Sequence, residues 1–100
     1  MTDLERIETI CENLKETLIK KNKAYGNSAF QAPLLCPYMS PASAILVRMS
    51  DKINRFNHLT HTTESIETNG ESIKDTVLDL AGYCVLYLAF LGKFEKDNEQ

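Results

Sequence analysis

The chain has 100 residues, of which 43% are hydrophobic and 25% charged, with a net charge of −3 and a pI near 5.3. That length makes one domain, residues 1–100, able to bury about 60–65% of its unfolded surface, and the composition excludes a disordered or collagen-like chain. The acidic balance excludes general nucleic-acid binding, so any phosphate-bearing partner must meet a local basic patch.

The first helix is predicted to open at Thr2, because Thr2-Asp3-Leu4-Glu5 has the form of a capping box. Leu4, Ile7, Cys11, Leu14 and Leu18 recur at three- and four-residue spacing and draw one apolar stripe along it. Glu8, Glu12, Lys15, Glu16 and Lys20 occupy the other faces. The helix should stop near Tyr25-Gly26, since glycine accepts the left-handed conformation that ends helices. Between 26 and 40, Pro33 and Pro37 forbid a long helix. Phe30, Leu34, Leu35, Tyr38 and Met39 are too apolar for a linker, so this loop is expected to fold back onto the body or line a pocket.

The second helix has Ser40 as its cap and Pro41 as its first residue. Its stripe is Ala42, Ile45, Leu46, Met49, Ile53 and Phe56, with Ser50, Asn54 and Asn57 toward solvent and an end near Asn57-His58. Residues 58–70 are polar and end in Asn69-Gly70, which predicts a mobile loop with at most one helical turn. The third helix is predicted from Ser72, with Asp75 as a capping-box-like partner, to about Phe94. Ile73, Val77, Leu80, Cys84, Tyr87, Leu88 and Leu91 form its stripe, and Asp79 is the one charge between Val77 and Gly92. That run is shorter than the roughly 20 apolar residues of a membrane span, so no membrane is expected. A helix apolar nearly all round wants burial on every side, which three helices cannot easily give it. The expected fold is therefore all-α, with three main helices, completed by homo-oligomerisation.

Cys11, Cys36 and Cys84 form no CxxC pair, so a structural zinc site is not expected. Cys11 and Cys84 lie in apolar stripes and read as buried reduced thiols, while Cys36 lies in a loop and can be more exposed. Met1–Arg6 has no basic and apolar leader, which points to the cytoplasm. His58 and His61 read as solvated loop residues.

Three groups of residues can carry chemistry. On the second helix, Arg48, Asp51, Lys52 and Arg55 share one face beside the apolar stripe. They form either a self-paired charged face, Asp51 with Arg55, or an anion site in which Arg48, Lys52 and Arg55 hold phosphates. On the third helix Glu71, Asp75 and Asp79 stand one turn apart, and Asp79 in its apolar run needs a partner. That partner is either a basic residue such as Arg48 or Arg55, or a magnesium ion shared with Asp75 and Asp51. Tyr83 continues the same face, and Gly82 leaves room for close approach of a helix or ligand. Third, Lys23-Ala24-Tyr25-Gly26-Asn27-Ser28 is either a plain helix stop or a site where Tyr25 stacks on a base, Lys23 reaches a phosphate and Asn27 or Ser28 reads polar edges.

Taken in order, K-x-Y-G-N-S, I-L-V-R-M-S-D-K-I-N-R-F and E-S-I-K-D-T-V-L-D-L-A-G-Y resemble the first type of nucleotide modification associated domain. This is a small all-α family frequent in phages and prophages, and the resemblance covers roughly residues 18–90. More distantly the chain resembles the MazG-like all-α nucleoside triphosphate pyrophosphohydrolases, which implies a MazG-like helical bundle. Those enzymes hold magnesium with ExxE on one helix and ExxD on the next. Here the pairs read Arg48-x-x-Asp51 and Thr76-x-x-Asp79, so only Asp51 and Asp79 match. An arginine in place of a carboxylate repels a metal and attracts a phosphate.

The resemblance and the residues together leave three functions open. The first is binding of a nucleotide or nucleotide-derived ligand without turnover, through Lys23, Tyr25, Asn27, Arg48, Lys52, Arg55 and Tyr83. In a phage setting this implies sequestration of an immune signalling nucleotide in the host cytoplasm, a counter-defence role. The second is a magnesium-dependent pyrophosphohydrolase with Asp51, Asp75 and Asp79 on the metal. The third is a structural helical interaction module.

Overall fold

Thr2 caps the first helix as its sequence predicts. Its hydroxyl accepts from the Glu5 backbone N–H at 3.1 Å, and the Glu5 carboxylate accepts from the Thr2 N–H at 3.2 Å. The computed structural model describes residues 1–61 and 66–94, without the side chains of 66–70. Those residues form three α-helices, α1 (Asp3–Ala24), α2 (Pro41–Thr60) and α3 (Ile66–Gly92), with one 3₁₀ turn at Ser28–Phe30 and no strand among them.

Gly26 and Asn27 follow α1 with φ of +60° and +65°, two consecutive left-handed residues that turn the chain away from the helix axis. The Asn27 side chain accepts from the Asn22 amide at 3.1 Å and so fixes the turn. The Ser40 hydroxyl accepts from the Ser43 backbone N–H at 3.1 Å, with Pro41 as first helical residue, as the sequence requires. Ser50, Asn54 and Asn57 face solvent as expected.

α2 and α3 are the tightly packed pair and run antiparallel, because Lys52 meets Asp79 and Arg55 meets Thr76. Ile45, with 0% of its surface exposed, and Ala44 form the buried apolar centre of the described residues. α1 leans on this pair through its C-terminal half. The contact is at Gly82, where an added Cβ would stand 3.1 Å from a Leu18 methyl, so the missing side chain sets the approach of α1 to α3.

Several expectations are corrected. α3 begins six residues before Ser72, which is an interior helical residue whose carbonyl accepts from the Thr76 hydroxyl at 2.7 Å and not a cap. Asn69-Gly70 is inside the helix, because extending an anchored helix across glycine costs only about 1 kcal/mol. α2 likewise runs on to Thr60, so the predicted loop shrinks, and residues 62–65 of it lie outside the described ones. α3 ends at Gly92, two residues early. Glu71–Gly92 has the length and hydropathy of a membrane span, although the run from Val77 to Gly92 by itself is too short for one.

The loop corrects in the other direction. Ser28 and Ala29 fold back against the body and Phe30 is half-buried under the Lys93 ammonium, 4.6 Å from the ring centre. Leu34, Leu35 and Tyr38 do not fold back: they are 92–101% exposed on turns closed by Cys36 N–H to Pro33 and Met39 N–H to Cys36. Cys11 is exposed and not buried, and Cys84 is half-buried. The cause is the same for the whole first half of α1: Leu4, Ile7 and Ile10 are also exposed, since the contact with α3 begins only near Leu14. His58 and His61 are exposed as expected, His61 being held to the Asn57 carbonyl through Nδ1 at 2.9 Å.

That uncovered first turn makes one prediction. Thr2→Ala removes a cap of about 1 kcal/mol from a segment with no tertiary support. The cost is expected as faster hydrogen exchange of the first-turn amides, with the melting temperature almost unchanged, because the segment frays by itself.

Candidate functional site

A cleft of about 430 Å³ opens between α1 and α3 and is closed at one end by the residues after α1. One wall is a polar row on α1, Asn13, Thr17 and Lys21, spaced four residues apart and running beside Leu14 and Leu18. Asn22, Tyr25 and Ser28 continue that wall into the turn. The opposite wall is α3, where Leu78, Gly82 and Leu86 give apolar surface and Asp79 and Tyr83 give polar edges. α2 contributes Arg48. Without a side chain at Gly82 the cleft keeps its depth, because a larger residue there would fill it and press on Leu18.

The three cations of α2 do not act as one cluster. Lys52 Nζ lies 3.1 Å from Asp79 Oδ2. Arg55 donates through Nε to the Thr76 hydroxyl at 3.1 Å. Thr76 is buried, and its hydroxyl in turn donates a hydrogen bond to the Ser72 carbonyl one turn back. Arg48 is left to the cleft, half-buried, with no hydrogen bond or ion pair among the described residues. The partner of Asp79 is therefore Lys52 and not Arg48 or Arg55. The reason is the antiparallel register, which sets Lys52 opposite Asp79, Arg55 one turn further toward Thr76, and Arg48 one turn the other way toward Tyr83. With side chains 27% and 42% exposed, the Lys52–Asp79 pair is worth at most about 1 kcal/mol. Its larger effect is to neutralise the cleft's carboxylate and leave Arg48 and Lys21 as the uncompensated charges.

Of the residues singled out by sequence, the cleft gathers Tyr25, Ser28, Arg48, Asp79, Gly82 and Tyr83. Lys52 stands behind Asp79, and Arg55 faces Thr76. Lys23 lies outside the cleft, beside a shallower hollow with Phe30 and Val85, and Asn27 is spent on its turn. Asp51 and Asp75 are exposed, Asp51 makes no ion pair with Arg55, and no group of three metal-ligating side chains occurs among the described residues. Asp51, Asp75 and Asp79 thus do not stand together as one cluster in this chain. Asn13, Thr17, Lys21 and Asn22 went unread. Their signal is a run of polar side chains at four-residue spacing directly beside an apolar stripe, on the edge of the buried face rather than opposite it.

Compared with protein-family models, with curated proteins and with solved structures, the chain matches none.

Proposed function

We propose that this cleft binds a nucleotide or nucleotide-derived small molecule and holds it without turnover. The observation that carries this is the joint placement of Arg48 and Lys21 with Tyr25 and Tyr83 around one partly apolar cleft of about 430 Å³. Such a volume lies within the usual range of small-ligand sites. Arg48 offers a planar fork of donors to a phosphate, Lys21 a second positive charge from the facing wall, and a tyrosine ring a surface for a base. Asn13, Thr17, Asn22 and Ser28 supply donors and acceptors that suit base edges and sugar hydroxyls. The scattered carboxylates, with Asp79 already paired to Lys52, favour binding over metal-assisted hydrolysis. The resemblance to the nucleotide modification associated domain and to MazG-like proteins supports the same ligand class. A cytoplasmic phage protein that sequesters a nucleotide signal fits this reading.

The test is a thermal-shift screen against nucleotides with and without magnesium, followed by chromatography of the recovered ligand. A tight ligand raises stability by RT ln(1 + [L]/Kd), so binding reads directly as a higher melting temperature. Stabilisation without magnesium, and intact ligand on recovery, are expected. Asp79→Asn should then keep or strengthen binding by a few-fold, because it removes a negative charge and frees Lys52. Magnesium-dependent release of pyrophosphate, lost in Asp79→Asn, would establish the hydrolase instead.

A further inference from the structure

The two free cations of the cleft stand at one level. α1 runs parallel to α3, since Leu18 meets Gly82 while Asn22 and Lys23 share a hollow with Val85 and Leu86. Lys21, just past Leu18, therefore stands level with the stretch from Tyr83 to Leu86. α2 runs the other way. Arg48 precedes Lys52 by one turn, Tyr83 follows Asp79 by one turn, and Lys52 meets Asp79, so Arg48 also stands level with Tyr83. Both cations line the cleft, and neither makes an ion pair among the described residues.

To either side of this level the cleft offers no free positive charge among the described residues. Toward its closed end stand Asn22, Tyr25 and Ser28, all uncharged. In the other direction comes Asp79, about 6 Å from Tyr83 along α3. The Asp79 carboxylate lines the cleft, whereas Lys52 stands behind it and does not. A group lying in the cleft at that point meets the carboxylate before the ammonium.

We infer, resting on the reading of this cleft as a nucleotide site, that it takes a nucleoside carrying one phosphate, and that Asp79 excludes longer phosphate chains. A phosphate monoester carries about 1.5–2 negative charges at pH 7, which Arg48 and Lys21 balance. The nucleoside lies toward Tyr25, whose ring, with the polar Asn22 and Ser28, suits a base. A second or third phosphate then extends toward Asp79. It gains no cation and meets a carboxylate, and like charges repel more strongly in a cleft partly shielded from water. Asp79 thus determines specificity for the number of phosphates and not for the base.

Titration calorimetry of the purified chain without magnesium, against the four common ribonucleosides and their mono-, di- and triphosphates, tests this. The best monophosphate is expected to bind about tenfold or more tighter than its nucleoside. The corresponding triphosphate is expected to bind no tighter than the monophosphate. Lys21→Met, at an exposed position of α1, should weaken the monophosphate by about tenfold with the melting temperature unchanged. Asp79→Asn removes the carboxylate and frees Lys52, so it should strengthen the triphosphate by about threefold or more relative to the monophosphate. Loss of a merely structural ion pair would leave that ratio unmoved. A triphosphate that binds the parent chain about tenfold tighter than the monophosphate overturns the inference while nucleotide binding at the cleft stands. A ratio unchanged in Asp79→Asn, or a cyclic dinucleotide that outbinds every mononucleotide, overturns it in the same way. No binding by any of the series, or binding untouched by Arg48→Glu, removes the nucleotide site itself and this inference with it.

Discussion

Arg48→Glu is expected to lower nucleotide affinity by about 100-fold or more while leaving the fold intact. A hydrogen bond to a charged group contributes about 1.5–3 kcal/mol, which is one to two decades of affinity when it is lost. Charge reversal adds repulsion of the phosphate, in a cleft whose other carboxylate is already engaged by Lys52. The fold should tolerate the change because Arg48 makes no hydrogen bond or ion pair among the described residues. Arg48→Lys keeps the charge but loses the planar fork, and a loss of about tenfold is expected. Titration calorimetry with the strongest nucleotide of the thermal-shift screen reads both variants, and the parent affinity should fall as salt rises. Unaltered affinity in Arg48→Glu, with the melting temperature preserved, would remove the cleft as the phosphate site.

The second large effect is on stability. Ile45→Ala is expected to cost about 2–5 kcal/mol, the price of an emptied site in a packed interior. Ile45 is completely buried, and among the described residues only Ala44 joins it as a buried hydrophobic side chain. In a 100-residue domain each kcal/mol moves the midpoint by about 4–8 °C, so a loss of 3 kcal/mol lowers it by roughly 12–24 °C. Ile45→Val removes one methylene and should cost about 0.5–1.5 kcal/mol. Urea unfolding of the three chains measures this. A cost below 1 kcal/mol for the alanine variant would mean that the α2–α3 centre is not what holds the fold.

These two residues show how differently a sequence encodes a core and a site. Ile45 sits in a stripe whose spacing marks it as inward-facing, and it is inward-facing. Arg48, Lys52 and Arg55 share one face by the same spacing, and the sequence treats them alike. In the structure they have three different surroundings: the cleft, Asp79 and Thr76. The difference comes from what α3 presents at each level, more than twenty residues away along the chain.

Local rules determined the three helices, the Thr2 capping box, the Ser40-Pro41 start of α2 and the turn at Gly26. Each depends on residues within a turn or two of one another, so the chain's own order specifies it. Only the tertiary structure decided that Lys52 neutralises Asp79, that Arg48 is left for the cleft, and that Asn13, Thr17 and Lys21 form its other wall. It also decided that Leu4, Ile7 and Cys11 stay in water although their stripe is continuous with Leu14 and Leu18. Side-chain spacing states which residues share a face. The register and tilt between helices state what that face meets, and these are set by the packing of the whole chain.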